Sequence, residues 1–509
     1  MNDYLAFDIK HLICQEYYLS GRDLCHLALT SRSWRDAALP RIWAELGAIT
    51  PLLKLLPEDA WYMKRQMSDV PKLYFALRRS RMRADWEAVY YGRYIYDRSR
   101  FVKELSVHDT QEEDLHDLSA LLILCPPPEP LFPRMDRLRV ELTERRSALD
   151  LRPLLDLLLS PSLTSVHIKD LHSKVAGGLD LPSLANQCPH IKDLAICTSR
   201  KTHPAYHSDL SAAIAKWDKL DTIVLSFCSP DIILPLSVHP SLRRFGLIVS
   251  IQEAPTDGRS RLPALPPDCF PSLTFIVWSG LTLFEFAEFA SLGDVRMMEV
   301  ICVTHPGEAP LSTDLQYTMD AIAAYCHPDT LQKIVLEHDT VDNDSADYAL
   351  SMEHILPLAD FTNLQHIQLG VTTGALLGDE DYAELLPCWP HLEHFEVDTG
   401  ADAPAGWASS ATLLTLNHFA HFCPKLEVLC LPLTAHEVPE YDDVDVVGDD
   451  HPLCKLNIGP SPITAPLQEV ADFLRCTFPN LEKFIWTHSR VGDAVQLHSQ
   501  LRELLMLML

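Results

Sequence analysis

The chain is poor in glycine and lacks the motifs that build phosphate-binding loops. It has 18 glycines in 509 residues, and no Gly-x-Gly-x-x-Gly, Walker, Gly-x-Ser-x-Gly or His-Glu-x-x-His stretch occurs. Glycine-rich loops let backbone N–H groups approach a phosphate closely, so their absence argues against a nucleotide-dependent enzyme. No candidate catalytic set is found. We expect a protein that is not an enzyme and has no cofactor or metal site.

Long apolar runs and paired cysteines are also missing. No apolar run approaches the roughly 18 residues of a membrane span, and the N-terminus, with Asp3, Asp8 and Lys10, does not have the layout of a secretory signal. The 14 cysteines never occur as Cys-x-x-Cys, which argues against a zinc ribbon or a disulfide framework. We expect a cytoplasmic or nuclear protein without membrane contact, whose cysteines are mostly buried thiols.

Basic residues are in deficit. The chain has 42 Lys and Arg against 70 Asp and Glu, for a formal net charge of -28. Such an excess of acid repels nucleic acid and anionic membranes, so neither is expected as a partner. Residues 61–103 are locally basic with interleaved aromatic residues, which leaves RNA stacking open as an alternative there. We favour a basic helical connector over residues 51–100.

The N-terminal segment has more apolar surface than so short a unit buries alone. Between residues 9 and 43, apolar residues recur at three- and four-residue steps, the spacing of amphipathic helices, with breaks at Ser20-Gly21 and at Ser31. The pattern predicts three short helices. A unit of this size usually needs disulfides, a metal or a partner. Cys14 and Cys25 have no metal-ligand spacing, so a partner protein is expected.

The same segment resembles the F-box of fungal (basidiomycete-type) ubiquitin-ligase adaptors. Asp23-Leu24 matches the family's internal Asp-Leu, and residues 27–35, Leu-Ala-Leu-Thr-Ser-Arg-Ser-Trp-Arg, are similar to its core motif. Leu5-Ala6-Phe7 stands where the family usually has Leu-Pro. The resemblance implies a module over residues 1–50 that binds a Skp-type adaptor and, through it, a cullin-RING ligase. A helical cap on a larger domain is the alternative. The residues expected to contact the adaptor are Ile9, Leu12, Ile13, Leu24, Leu27, Ala28 and Trp34.

From about residue 101 to the end one phrase recurs, Pro-x-Leu-x-x-apolar-x-apolar. It occurs, for example, at residues 161–168, 271–278 and 424–431, and successive copies are roughly 29 residues apart, the upper end of the leucine-rich range. Each phrase predicts a short parallel strand, and the stretches between them predict outer helices. The pattern resembles the cysteine-containing leucine-rich repeats that follow many F-boxes, without their recurrent asparagine. We therefore predict an α/β fold, a leucine-rich-repeat-like solenoid of about 14 repeats over residues 101–509.

The two resemblances imply a non-catalytic, substrate-recognition subunit of a ubiquitin ligase. Holding a target near the ubiquitin-loading enzyme raises the effective concentration of its lysines, so the subunit needs no catalytic residue. Strand positions that point away from the core are first apolar and then acidic, which favours an unknown target protein with hydrophobic and basic character. A repeat scaffold outside any ubiquitin ligase is the alternative function. The predicted target-binding residues are Val224, Val277, Glu299, Glu337, Glu396 and Asp398.

Overall fold

The computed structural model forms two compact units, Met1–Leu236 and Ser237–Leu509. The boundary between the units falls inside the predicted repeat region. The structure describes residues 5–16, 18–55, 61–66, 72–77, 95, 97–108, 130–142, 158–170, 180–198, 204–226, 229–248, 265–266, 268–307, 309–339, 348–398, 409–439 and 450–486.

The first unit begins with the three predicted helices, α1 (Phe7–Gln15), α2 (Gly21–Thr30) and α3 (Arg32–Ile42). Ser20 caps α2 in a reciprocal box: its hydroxyl accepts from the Asp23 N–H at 3.2 Å, and the Asp23 carboxylate accepts from the Ser20 N–H at 3.0 Å. Ser31 ends α2 and caps α3 by accepting from the Trp34 N–H. Two serines therefore set the helix boundaries that the sequence breaks predicted.

A small core holds the three helices together. Cys14, Leu24, Ala37 and Ala38 are buried at its centre. Five less buried apolar side chains pack around them, namely Leu19, Leu27, Ala28, Trp34 and Ile42. Lys10 is also buried and donates from Nζ to the Ser33 hydroxyl at 2.8 Å, which joins α1 to α3.

The predicted helical connector over residues 51–100 is wrong for its described middle part. After the short helix α4 (Thr50–Leu53), strand β2 (Trp61–Gln66) pairs antiparallel with β3 (Lys72–Leu77). Both strands are rich in aromatic residues, which favour extended backbone. The charge pattern of this segment does not decide between helix and strand. The remainder of the connector lies mostly outside the described residues.

The repeats of the first unit form a parallel sheet with helices between strands. The two-residue strand β1 (Glu45–Leu46) joins the helical module to this sheet by pairing with β4, where Glu45 lies beside Glu104. The further strands and helices are β4 (Glu104–His108), β5 (Arg137–Leu142), β6 (Ser165–Asp170), α5 (Leu181–Gln187), β7 (Asp193–Thr198), α6 (Pro204–Ile214), β8 (Thr222–Leu225) and α7 (Pro230–Ser237).

The second unit repeats the same strand-and-helix plan. Neighbouring strands pair in parallel, in chain order. Its elements are β9 (Arg244–Ile248), β10 (Phe275–Ser279), α8 (Leu283–Ala290), β11 (Val300–Pro306), α9 (Ser312–Tyr325), β12 (Lys333–Asp339), α10 (Met352–Ile355), β13 (His366–Gly370), α11 (Asp379–Leu385), β14 (His394–Val397), α12 (Leu413–Phe422), β15 (Val428–Cys430), β16 (Lys455–Asn457), α13 (Leu467–Thr477) and β17 (Lys483–Ile485).

Alternate strand residues are buried, because successive side chains of a strand point to opposite sides. In β10, for example, Ile276 and Trp278 are buried, while Phe275, Val277 and Ser279 are half-buried on the other face. We call that other face the open face of the sheet.

The predicted fold class, an α/β leucine-rich-repeat-like solenoid preceded by a small helical module, is confirmed.

A ladder of side-chain donors takes the place of the missing asparagine. Five donors each lie just before a repeat phrase and reach a backbone carbonyl at or near the equivalent position of the preceding repeat. They are Cys188 Sγ to Ser160 O (3.2 Å), Trp217 Nε1 to Cys188 O (2.9 Å), Trp389 Nε1 to Leu358 O (3.1 Å), Cys423 Sγ to Trp389 O (3.7 Å) and His451 Nε2 to Cys423 O (3.2 Å). These cysteines are buried, as predicted, and also donate hydrogen bonds.

Candidate functional site

An apolar row along α1 is one of two candidate binding surfaces. Leu5, Ile9 and Leu12 are 43%, 46% and 66% exposed. The three-residue spacing of Ile9 and Leu12 places them on one side of the helix axis, and Leu5 lies two residues before the helix begins. Lys10 and Cys14 occupy the opposite side and are buried in the module. The module therefore buries one face of α1 and leaves a second apolar face uncovered within the described residues.

The structure divides the residues predicted to contact the adaptor. Ile9 and Leu12 are exposed, and Ile13 is half-buried. Leu24 is only 3% exposed at the centre of the module core. The partly buried Leu27, Ala28 and Trp34 pack against that core. Only part of the predicted set is thus free to touch another protein.

Sequence reasoning missed two exposed residues of the module and the role of Asp23. Phe7 and Leu29 are 50% and 84% exposed. The sequence does not identify them, because apolar periodicity alone does not tell an exposed apolar residue from a buried one. Asp23 belongs to the matched Asp-Leu pair, and its described contacts are those of the α2 cap. The hydrogen bond from the Ser20 hydroxyl lowers the pKa of Asp23.

The second candidate surface is the open face of the repeat sheet. Val224 on β8 and Val277 on β10 are half-buried there, as predicted. The predicted position of Glu299 on the open face of a strand is wrong. Glu299 is exposed, but it precedes β11, and the β11 residue paired with Val277 is Cys302. The buried residues of β11 are Ile301 and Val303, which fixes the register of this strand.

Glu337, Glu396 and Asp398 all lie half-buried on the open face or at its edge. The Gln368 amide donates to Glu337 Oε1 at 2.8 Å, across β12 and β13. His394 Nε2 donates to Glu396 Oε2 at 3.1 Å on β14, and this hydrogen bond lowers the pKa of Glu396. These carboxylates are therefore held in place by side chains of the same face.

Basic groups alternate with the acidic ones on this face. His366 and His394 stack with ring centroids 4.0 Å apart, and Lys333 and Lys455 lie in the same cross-strand row, on β12 and β16. Burial is the main cause that lowers the pKa of His366 to about 4, and the neighbouring His394 and Lys333 contribute to the same shift. The acidic half of the open face therefore also carries two lysines, Lys333 and Lys455.

The open face of the first unit carries basic residues, where the prediction identified no residue. Arg137 and Arg139 on β5 and Lys169 on β6 are exposed. Some of this charge is paired, since Arg137 contacts Glu104 at 3.3 Å and His108 lies 3.5 Å from Glu141. The charge is visible in the sequence, but only strand pairing brings these residues into one surface.

Three of the buried cysteines are poor nucleophiles. Burial raises the pKa of the Cys188, Cys326 and Cys423 thiols to about 11, 12 and 12, so they stay protonated and are weak nucleophiles. No cluster of His, Cys, Asp and Glu able to hold a metal ion occurs among the described residues. Within the same ranges, no helix combines the length and hydropathy needed to cross a bilayer.

Comparison with known protein families matches residues 8–47 to the F-box-like family. The N-terminal module is an F-box-like domain. The match spans α1 to α3 and ends one residue after β1. No curated protein matches the chain.

Two solved structures are similar to the repeat-bearing chain. An internalin (InlF) from Listeria monocytogenes is 14% identical, over 71% of this chain and 83% of the internalin, with a TM-score of 0.33. The leucine-rich repeat-containing protein LegL7 from Legionella pneumophila is 13% identical, over 67% of this chain and 90% of LegL7, with a TM-score of 0.29.

Proposed function

We propose that this protein is the substrate-recognition subunit of a Skp–cullin–F-box ubiquitin ligase, similar to the fungal F-box proteins with C-terminal leucine-rich repeats. Its F-box-like domain binds a Skp-type adaptor that connects it to a cullin, and its repeats bind a target protein. The match of residues 8–47 to the F-box-like family carries the proposal. The protein works in the cytoplasm or nucleus, does not bind nucleic acid and contributes no catalytic residue.

The exposed row on α1 supports the adaptor half of the proposal. A three-helix module with a core of four small or medium side chains gains stability when a partner covers its uncovered apolar residues. Each aliphatic side chain removed from water contributes about 1.5–3 kcal/mol. Ile9 and Leu12 are the residues that we assign to the adaptor contact.

A co-purification experiment with the full chain tests this assignment. Replacing both Ile9 and Leu12 by Asp puts two charges into the proposed apolar contact, where they are desolvated without partners. We expect adaptor recovery to fall at least about tenfold, because one such buried charge already costs more than the 1.4 kcal/mol of a tenfold change. The module stays folded, since both side chains face outward.

The matched control is the double variant Leu311→Asp, Leu376→Asp in the second unit. These leucines are 63% and 50% exposed and lie outside the F-box-like domain, so adaptor recovery remains at the parental level. Equal recovery of the adaptor with parent and with the Ile9, Leu12 variant contradicts the proposal. That result would favour the alternative, a repeat scaffold in which the helices merely cap the sheet.

A further inference from the structure

A cavity of about 480 Å³ opens in the first unit, where the F-box-like domain meets the first sheet strands. Helices α1 and α3 provide one wall, and β1, β4 and the residues before β5 provide the other. The backbone fixes this junction, because the N–H groups of Lys103 and Glu104 both donate to the Ala44 carbonyl, at 2.8 and 2.9 Å. The volume lies in the range of small-molecule sites, about 300–1,000 Å³.

Two of the four cationic side chains of this cavity are already neutralised. Arg41 contacts Glu45 at 2.6 Å, and Arg137 contacts Glu104 at 3.3 Å. These pairs also separate the charges of Glu45 and Glu104, which lie opposite each other on β1 and β4. Like charges directly opposite on neighbouring strands repel. The guanidinium groups of Arg41 and Arg137 are therefore already paired with carboxylates in the absence of a ligand.

The other two cations, Lys103 and Arg134, have no side-chain partner within the described residues. Both line the cavity and are exposed. Asp136 is the one further carboxylate of the lining. The cavity thus offers two uncommitted cations against one uncommitted carboxylate, in a chain whose net charge is -28. The charge of the cavity lining is therefore positive, whereas the net charge of the whole protein is negative.

The apolar lining gives the cavity a second character. Pro40, Ala44 and Phe101 line the cavity, so an apolar group has a surface to contact.

We propose that this cavity binds a small organic anion with an apolar or aromatic body. Lys103 and Arg134 hold its phosphate or carboxylate group through charge-assisted hydrogen bonds. The body of the molecule contacts Phe101 and Pro40. Because the walls come from the F-box-like domain and from the sheet, the bound molecule fastens one to the other. The proposal does not depend on ligase membership.

Titration calorimetry on the full chain tests the proposal with phenyl phosphate, benzoate and phenol as probes. We expect phenyl phosphate, benzoate or both to bind at millimolar concentration or below and phenol to bind much more weakly. The double variant Lys103→Ala, Arg134→Ala weakens binding of the anion at least about tenfold, because charge-assisted hydrogen bonds are roughly twice as strong as neutral ones. Whichever anion binds more tightly identifies the head group as phosphate or carboxylate.

The control variant is Lys169→Ala, Lys192→Ala, which removes the same charge from exposed positions of the first unit outside the cavity. It binds the anion within about twofold of the parent, as expected for screened surface charge. A chain that binds neither anion at millimolar concentration overturns the proposal. So does an equal loss in both double variants, or phenol that binds as well as phenyl phosphate. The Ile9, Leu12 variant keeps anion binding, so this result and the adaptor result are independent.

Discussion

At the scale of single residues, side-chain donors before five of the repeat phrases connect neighbouring repeats. Trp389 is fully buried, and its indole N–H donates to the Leu358 carbonyl at 3.1 Å. The cysteines and the histidine of the ladder have different shapes but make the same connection. Where the connection is made, any donor of suitable reach serves, and phenylalanine stands before the phrases that begin at Pro271 and Pro479.

Replacing Trp389 by Phe removes this donor and part of a buried side chain. We expect the free energy of unfolding to fall by about 1–3 kcal/mol, the sum of a lost hydrogen bond and a small cavity. Urea denaturation measures the change. The control is Tyr317→Phe, which removes a hydroxyl from a 41% exposed ring on α9 and leaves stability unchanged. Parental stability of the Trp389 variant would show that the ladder contributes nothing.

The stacked histidines of the open face predict a pH dependence of stability. The folded chain holds the pKa of His366 at about 4, below the value of 6.5 in an unfolded chain. Between these values the unfolded state binds a proton that the folded state does not, so the free energy of unfolding falls as the pH drops from 6.5 toward 4. Burial also lowers the pKa of His167, His354 and His451, which adds to the same slope.

The variant His366→Gln measures how much His366 contributes to the pH dependence of stability. The expected result is a smaller fall in melting temperature between about pH 7 and pH 5 than the parent shows, whatever the stability at pH 7. The interval stays above the pKa of Glu396, which lies below 4.5. Exposed His190 provides the control, because His190→Gln keeps the parental fall. An identical fall in the His366 variant and the parent argues against the lowered pKa.

At the scale of elements, one carboxylate connects the starts of two successive helices. Asp379 is the first residue of α11, and its carboxylate accepts from the Thr412 N–H at 2.9 Å and from the Thr412 hydroxyl at 2.7 Å, next to the start of α12. It also accepts from the Thr415 hydroxyl. A carboxylate is favoured at a helix N-terminus, and here it serves two.

Asp379→Ala leaves the start of α12 without these acceptors. We expect a loss of about 1–3 kcal/mol in the free energy of unfolding, because hydrogen bonds to a charged group are among the stronger ones. The neighbouring Glu380 is exposed, so Glu380→Ala stays close to the parent in the same denaturation experiment. Equal stabilities of the two variants would mean that the contacts of Asp379 do not hold the helices.

Strands were predictable from the sequence where the repeat phrase is complete, and less so elsewhere. The phrase at residues 271–278 places Leu273, Ile276 and Trp278 in the core. The repeat at β11 lacks the proline, so the sequence does not mark its start, and Met298 is buried where Val295 is exposed. The charge pattern does not indicate the hairpin of β2 and β3, whereas the strand propensity of their aromatic residues does.

The candidate surfaces were predictable in kind and only partly in residues. Amphipathic periodicity identifies which residues are apolar, but tertiary packing decides that Leu24 is buried while Leu12 is exposed. Alternation along a strand gave the open-face positions of β10 and β14 correctly. The cross-strand row beside Glu337 and Glu396 arises from neighbouring strands, and a single-chain pattern does not show which residues become neighbours.

At the scale of the whole molecule, the proposed function requires two binding surfaces that can be lost separately. Replacing Glu337 and Glu396 by Gln and Asp398 by Asn removes three charges from the open face while keeping side-chain shape. We expect the bound target to be recovered at least about threefold less, as the loss of charge pairing with a basic segment implies, and the adaptor to remain bound. The Ile9→Asp, Leu12→Asp variant should show the opposite result: target retained and adaptor lost.

The control for the target is a triple variant with the same change in charge on the helices, Glu353→Gln, Glu380→Gln, Glu384→Gln. All three glutamates are exposed and lie on α10 and α11. Quantitative mass spectrometry of the co-purified proteins compares the two triples at equal bait. Because net charge is matched, a loss confined to the open-face variant is a loss of contact and not of long-range attraction. Equal target recovery from both triples excludes these carboxylates as the target-binding site and makes the apolar positions Val224 and Val277 the next to change.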